Sequence, residues 1–188
     1  MQPLNRMSED EYLALERAAV SKSELLNGQM LAMAGASVRH NVLVRNLLIA
    51  LGTRLRGRPC QPYPSDLRIN VPATGLYTYP DVTVVCAPIQ RHPNDHATIV
   101  NPRLLIEVLS DGTEAFDRGA KFAHYRSVLS MSTYVVVSSH EPRVEWYVRG
   151  DDGIFRLHEA VGEAATVHLE VIDVSIPLGE IYADLPTD

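Results

Sequence analysis

The chain has 188 residues, 46% hydrophobic and 21% charged, a balance that suits one globular domain over residues 1–188 and excludes collagen-like, disordered and disulfide-scaffold classes. Its net charge of −6, from 23 acidic and 17 basic residues, argues against a protein that coats nucleic acid by bulk electrostatics. A local basic groove is still compatible with that total. No apolar run approaches the roughly 20 residues that span a bilayer, so no membrane partner is expected. The polar, acidic start lacks a secretory signal, which points to the cytoplasm. Cys60 and Cys86, far apart in sequence, read as buried thiols of a reducing compartment rather than as a disulfide or zinc site.

Along the chain, Ser8 to about Ala19 predicts a helix, with Ser8 as N-cap and Glu11 closing a capping box. Glu24-Leu25-Leu26, Asn27-Gly28 and Gln29–Met33 predict a hairpin, because Asn and Gly both tolerate positive φ. Residues 37–56 predict a long helix whose Val44, Leu47, Leu48, Leu51 and Leu55 make one apolar stripe. Strands are expected at 66–71, 81–86 and 104–109, then a helix at 115–129, which links strands as a crossover would. A strand at 133–138 follows, then a hairpin of 144–149 and 154–158, and a short final turn at 179–182. This is a mixed α/β order.

Leu104–Leu109 is a near-continuous apolar run with Glu107 in its middle, on the same face as Leu105 and Leu109. A carboxylate inside such a strand is costly unless a metal or a lysine pairs with it. The ordinary alternative is an edge strand with Glu107 facing water. Asp81 opens the apolar strand Val82–Cys86, where it can hold a cation at the sheet's rim or simply make a Pro-Asp turn. Lys121, one of only two lysines, lies four residues after Asp117 and could be no more than an exposed helical ion pair. Together, two carboxylates and a lysine make the smallest kit for metal-dependent phosphodiester hydrolysis: acids to hold Mg²⁺, and an ammonium to steady water or charge.

The segments YTYPDVTVVC (77–86), PRLLIEVLSDGTEAFDRGAKFAHYRS (102–127) and TYVVVS (133–138) resemble the Uma-two family of the PD-(D/E)XK, restriction-endonuclease-like nucleases. Weaker similarity runs from about Glu11 to Ile181. The resemblance implies a restriction endonuclease-like core, a central mixed β-sheet flanked by helices with additional β-hairpins. It implies that Asp81 and Glu107 are the motif's carboxylates and bind Mg²⁺ or Mn²⁺. The motif's usual lysine position is Leu109 here, which makes Lys121 on the following helix the match. The implied products are a 5′-phosphate and a 3′-hydroxyl.

Further positions carry less weight. Glu24 could add a carboxylate but reads more simply as a surface hairpin charge. His40 could contact substrate but reads more simply as a cap or surface group. Asp117 could orient Lys121, and Ser110 and Thr113 could fix the turn after the Glu107 strand. Arg54, Arg56 and Arg58 suit a helix C-terminus better than a phosphate track, and His92 and His96 around Asp95 make only a weak metal pattern. The expected function is DNA cleavage by a homodimer. The alternatives are a non-catalytic binding module on the same fold, or a structural oligomer paired through an edge formed by 133–138 and 144–149.

Overall fold

The computed structural model describes residues 6–186. The order is α1 (Glu9–Ala18), β1 (Ser23–Leu26), β2 (Gln29–Ala32), α2 (Val38–Arg54), β3 (Cys60–Pro64), β4 (Arg68–Val71), β5 (Leu76–Thr78), β6 (Val82–Cys86), β7 (Arg91–His92), β8 (Asp95–Ile99) and β9 (Leu104–Val108). Then come α3 (Glu114–Phe116), a π-helical turn (Asp117–Lys121), α4 (Phe122–Tyr125), β10 (Thr133–Val137), β11 (Arg143–Arg149), β12 (Phe155–Val161), β13 (Thr166–Leu169), β14 (Val174–Pro177) and α5 (Leu178–Ile181).

The strands form a mixed sheet in the order β12-β11-β10-β9-β6-β3, a second six-stranded sheet in the order β2-β1-β5-β4-β8-β7, and the pair β13-β14. In the first sheet β9 and β10 run parallel, joined by the α3–α4 segment as a crossover. Every residue of β9 is buried, as its apolar run predicts for a strand covered on both faces. One face (Leu104, Ile106, Val108) packs on α2 through Leu43, Leu47, Ala50 and Leu51. The other (Leu105, Leu109) packs with Tyr134, Val136, Phe122 and Tyr125. Glu107 belongs to this second face by alternation.

Several expectations are corrected. The buried stripe of α2 centres on Leu43, Leu47, Ala50 and Leu51, while Val44 and Leu48 sit at its margin. The helix at 115–129 is broken by the π-turn and ends at Tyr125. Cys60 and Cys86 face each other across the antiparallel β3–β6 pair and form a disulfide, so they are not free thiols. That pairing depends on β3, whose sequence Cys-Gln-Pro-Tyr-Pro does not look like a strand. Two prolines are tolerated there because β3 is the sheet's edge. Strands β10 and β11 lie inside the sheet, and β12 is the edge, so 133–138 and 144–149 offer no free edge to a second subunit. Among the described residues, no helix is long and apolar enough to cross a membrane.

Candidate active site

Asp81 sits one residue before β6, beyond the last paired position between β6 and β9, Val82↔Ile106. There its side chain takes over from the ladder: Oδ2 accepts the Val108 N–H at 2.8 Å, and the Asp81 N–H approaches Glu107 Oε2 at 3.4 Å. A main-chain donor that would lose its partner where the strands part is thereby satisfied. The same Oδ2 lies 3.1 Å from His40 Nε2. His40 is in the first turn of α2, whose start is capped by Ser37 accepting the His40 N–H at 3.1 Å.

Glu107 is 3% exposed. Its Oε1 meets Lys121 Nζ at 2.9 Å and accepts the Tyr125 hydroxyl at 2.8 Å. Lys121 ends the π-turn that Asp117 begins, and Asp117 Oδ1 is 3.4 Å from its ammonium. A π-turn places one extra residue in the helix, a local distortion often found at functional sites. Here it brings Asp117, Lys121 and Tyr125 to one side, facing β9. The reading of Lys121 as an exposed ion pair is therefore wrong, since it is buried and aimed at Glu107.

Glu24 and His40 also differ from their simpler readings. Glu24 turns inward from β1, accepts the Thr78 hydroxyl and lies 3.7 Å from Lys121. His40 is mostly buried against Asp81. Tyr125 was not singled out from the sequence, although its place four residues after Lys121 puts both on one helical face.

These groups line a cleft of about 540 Å³, walled by residues 31–37 on one side and by the loop after β9 on the other. Four carboxylates (Glu24, Asp81, Glu107, Asp117) share it with one permanent cation, Lys121. Burial pushes the Glu107 carboxyl up to about 8; Lys121 draws it back, and Asp81 and Asp117 push it further up. Burial also raises Asp117, against the pull of Lys121 and Thr113. Burial alone would lower Lys121, yet Glu107, Glu24 and Asp117 hold its ammonium well above the ordinary range. Burial would likewise lower His40, but the hydrogen bond to Asp81, the Asp81 charge, the Val108 backbone and the Asp117 charge together outweigh it and the imidazole is raised.

Four carboxylates around one lysine make a cluster short of positive charge. Hard oxygen donors of this kind suit Mg²⁺ or Mn²⁺. Among the described residues, no three Asp, Glu, His or Cys side chains gather as a ligand set. Asp81 and Glu107 would be the oxygen donors for a cation that takes one or two carboxylates and keeps several waters, as Mg²⁺ does.

The profile of the Uma2 family, described as "Putative restriction endonuclease", matches residues 9–179. The chain belongs to the Uma2 family. The uncharacterized protein slr1290 of Synechocystis is 38% identical over 151 residues, 80% of this chain and 78% of that protein. The uncharacterized protein sll1609 of the same organism is 33% identical over 164 residues, 87% of this chain and 93% of that protein. The crystal structure of a protein from Anabaena variabilis, described as "a putative nuclease belonging to DUF820", shares the fold. Its TM-score is 0.76 at 17% identity, covering 94% of this chain and 98% of that one.

In this Uma2 chain most of the remaining sequence candidates have structural partners, while Arg56 is exposed. Arg54 pairs with Glu180, and Arg58 donates to the Ile172 and Asp173 carbonyls, so neither is free for phosphate. His92 contacts Tyr77 and Glu9, and Asp95 pairs with Arg68 and Arg17, while His96 is exposed; the three do not form a metal site. Ser110 and Thr113 hydrogen-bond each other at 3.0 Å and tighten the turn after β9.

Proposed function

We propose that this chain is a Mg²⁺- or Mn²⁺-dependent endonuclease that hydrolyses DNA phosphodiester bonds. Asp81 and Glu107 hold the cation, and Lys121 assists the attacking water. The observation that carries the reading is the approach of the buried Lys121 ammonium to Glu107, 2.9 Å, at the floor of an acid-rich cleft. The description of the Uma2 family supports the reaction class.

Each proposed ligand has one oxygen pinned. His40 and the Val108 N–H fix Asp81 Oδ2, while Lys121 and Tyr125 fix Glu107 Oε1. The carboxylates are thus oriented before anything binds, which lowers the cost of organising the site. Bound there, a divalent cation would activate water and offset the extra negative charge that phosphate gains during attack. Lys121 keeps its proton among the acids, so it acts as a donor and a charge rather than as a base. Asp117 holds the ammonium on its helix, and Glu24 backs it from the hairpin. The reaction adds water across the P–O3′ bond and leaves a 5′-phosphate and a 3′-hydroxyl.

The test is cleavage of supercoiled plasmid and single-stranded DNA in Mg²⁺ or Mn²⁺, wild type beside Glu107→Ala. Metal-dependent cutting that vanishes in the variant is expected. No cutting by the wild type would favour a nuclease-fold binding module, and cutting that survives in the variant would place the chemistry elsewhere.

A further inference from the structure

The acid-rich cleft is not a closed chamber. It shares Ser37, Ser110, Gly112 and Ser139 with an adjoining pocket of about 650 Å³. Together they make one trough over the start of α2. Among the described residues two permanent cations line it, Lys121 on the floor and Arg39 at the mouth. Lys121 is engaged by acids. Arg39 is different: its Nε donates to the Ser139 carbonyl and its Nη2 to the His140 carbonyl at 3.4 Å. Among the described residues no carboxylate pairs with it within ion-pair distance. The guanidinium is therefore anchored by neutral carbonyls, with Glu163 and Asp184 lining a separate pocket on its other side. The acid nearest in the same mouth, Asp111, is turned to His140 at 2.7 Å, and both are exposed.

The walls are apolar rather than basic. Leu31, Met33 and Phe116 line the cleft, and the stretch from Ala34 to Ala36 carries no charge. A duplex keeps the faces of its bases in the stack and offers an outer array of phosphates, which calls for many cations along a broad face. A trough with two cations, in a chain of net charge −6, does not supply them. An unpaired strand asks for something else: a few phosphate contacts and apolar or aromatic surfaces against which bases can lie.

We propose that the trough takes an unpaired DNA strand, with Arg39 holding the phosphate next to the one at Lys121. The second half of this statement rests on the nuclease reading, because it names the phosphate at Lys121 as the one under attack. The first half, a site for an unpaired strand, rests on the trough with a divalent cation offsetting its carboxylates, and not on cleavage.

The experiment is fluorescence anisotropy of labelled single-stranded and duplex DNA of one sequence, with Ca²⁺ as the only divalent cation, over a series of salt concentrations. The wild type is expected to bind the single strand about tenfold more tightly than the duplex. Arg39→Gln should weaken single-strand binding several-fold and make the slope of log affinity against log salt shallower by about 0.7, the loss of one phosphate contact. Arg39→Lys, which keeps the charge, should restore the slope, and a merely structural role for Arg39 would not give that pattern. Duplex binding as tight as single-strand binding, or an unchanged slope in Arg39→Gln, overturns the proposal. If the binding pattern holds while no DNA is cut in Mg²⁺ or Mn²⁺, the nuclease reading fails and the strand site survives. If DNA is cut but the pattern is absent, the strand site fails alone.

Discussion

Among the described residues, two buried ionic clusters are built on opposite principles. The first surrounds Arg68 in the sheet that packs under α1. Arg68 meets Asp95 at 2.6 Å and Glu16 at 3.9 Å, and Arg17 reaches Asp95 from α1 at 3.3 Å. Tyr79 bridges Arg68 and Glu16, and Thr98 donates to Asp95. Two cations face two carboxylates, and nearly every polar atom has a partner; Glu16 Oε2 is the exception. The second cluster, in the cleft, sets four carboxylates against one lysine. Buried charge is tolerated when paired and hydrogen-bonded. The balanced cluster is therefore fastening, and the unbalanced one is where the proposed cation would bind. Tyr79 connects the two, since its hydroxyl ends in the Arg68 cluster while the residue borders the cleft two residues before Asp81.

The comparison breaks most visibly at Glu107 and Lys121. Glu107→Ala should abolish metal-dependent cleavage. Lys121→Ala should lower the rate on the order of 10³-fold while leaving most of the metal binding, measured as single-turnover cleavage beside calorimetry. In the balanced cluster the effect falls on stability instead. Arg68→Ala strands two buried acids and should cost about 3–5 kcal/mol in denaturant unfolding, with cleavage per folded molecule nearly unchanged.

Acid separates the clusters more gently. Burial would raise Asp95, but Thr98, Arg68 and Arg17 hold it below its ordinary 3.8. Its contribution to stability is thus complete above about pH 4 and is lost as pH falls through the lower folded value. Asp95→Asn should be less stable than wild type at neutral pH and lose less on acidification, read from unfolding free energies between pH 5 and about 2. The smallest effect is expected for Tyr125→Phe. It removes one of the two groups on Glu107 Oε1 and should cost about 1 kcal/mol of stability with only a modest loss of rate.

Much of this arrangement is readable in the sequence, and the exceptions have physical causes. The buried run around Glu107 and the strand after Asp81 announce themselves by periodicity, and the family resemblance joins Lys121 to them. Periodicity assumes a regular helix at 115–129 and so misses the π-turn that aims Lys121 inward. Glu24 and His40 look like surface groups because each lies in a short polar context. Their burial comes from long-range partners, Thr78 and Asp81, that no local pattern reveals. The short strands β5, β7, β8, β13 and β14, and the proline-bearing β3, fall below what alternation can signal over so few residues. The Cys60–Cys86 pairing was hidden with β3.

The central claim is that the cleft cluster is completed by a divalent cation, and thermal unfolding across a Mg²⁺ and Mn²⁺ titration tests it most directly. Binding to the folded chain should stabilise the wild type saturably, by about 2.7 kcal/mol at a hundred times the dissociation constant, and Asp81→Asn should lose most of that gain. A wild-type melting temperature that neither cation moves, or an equal rise in Asp81→Asn, would contradict the account.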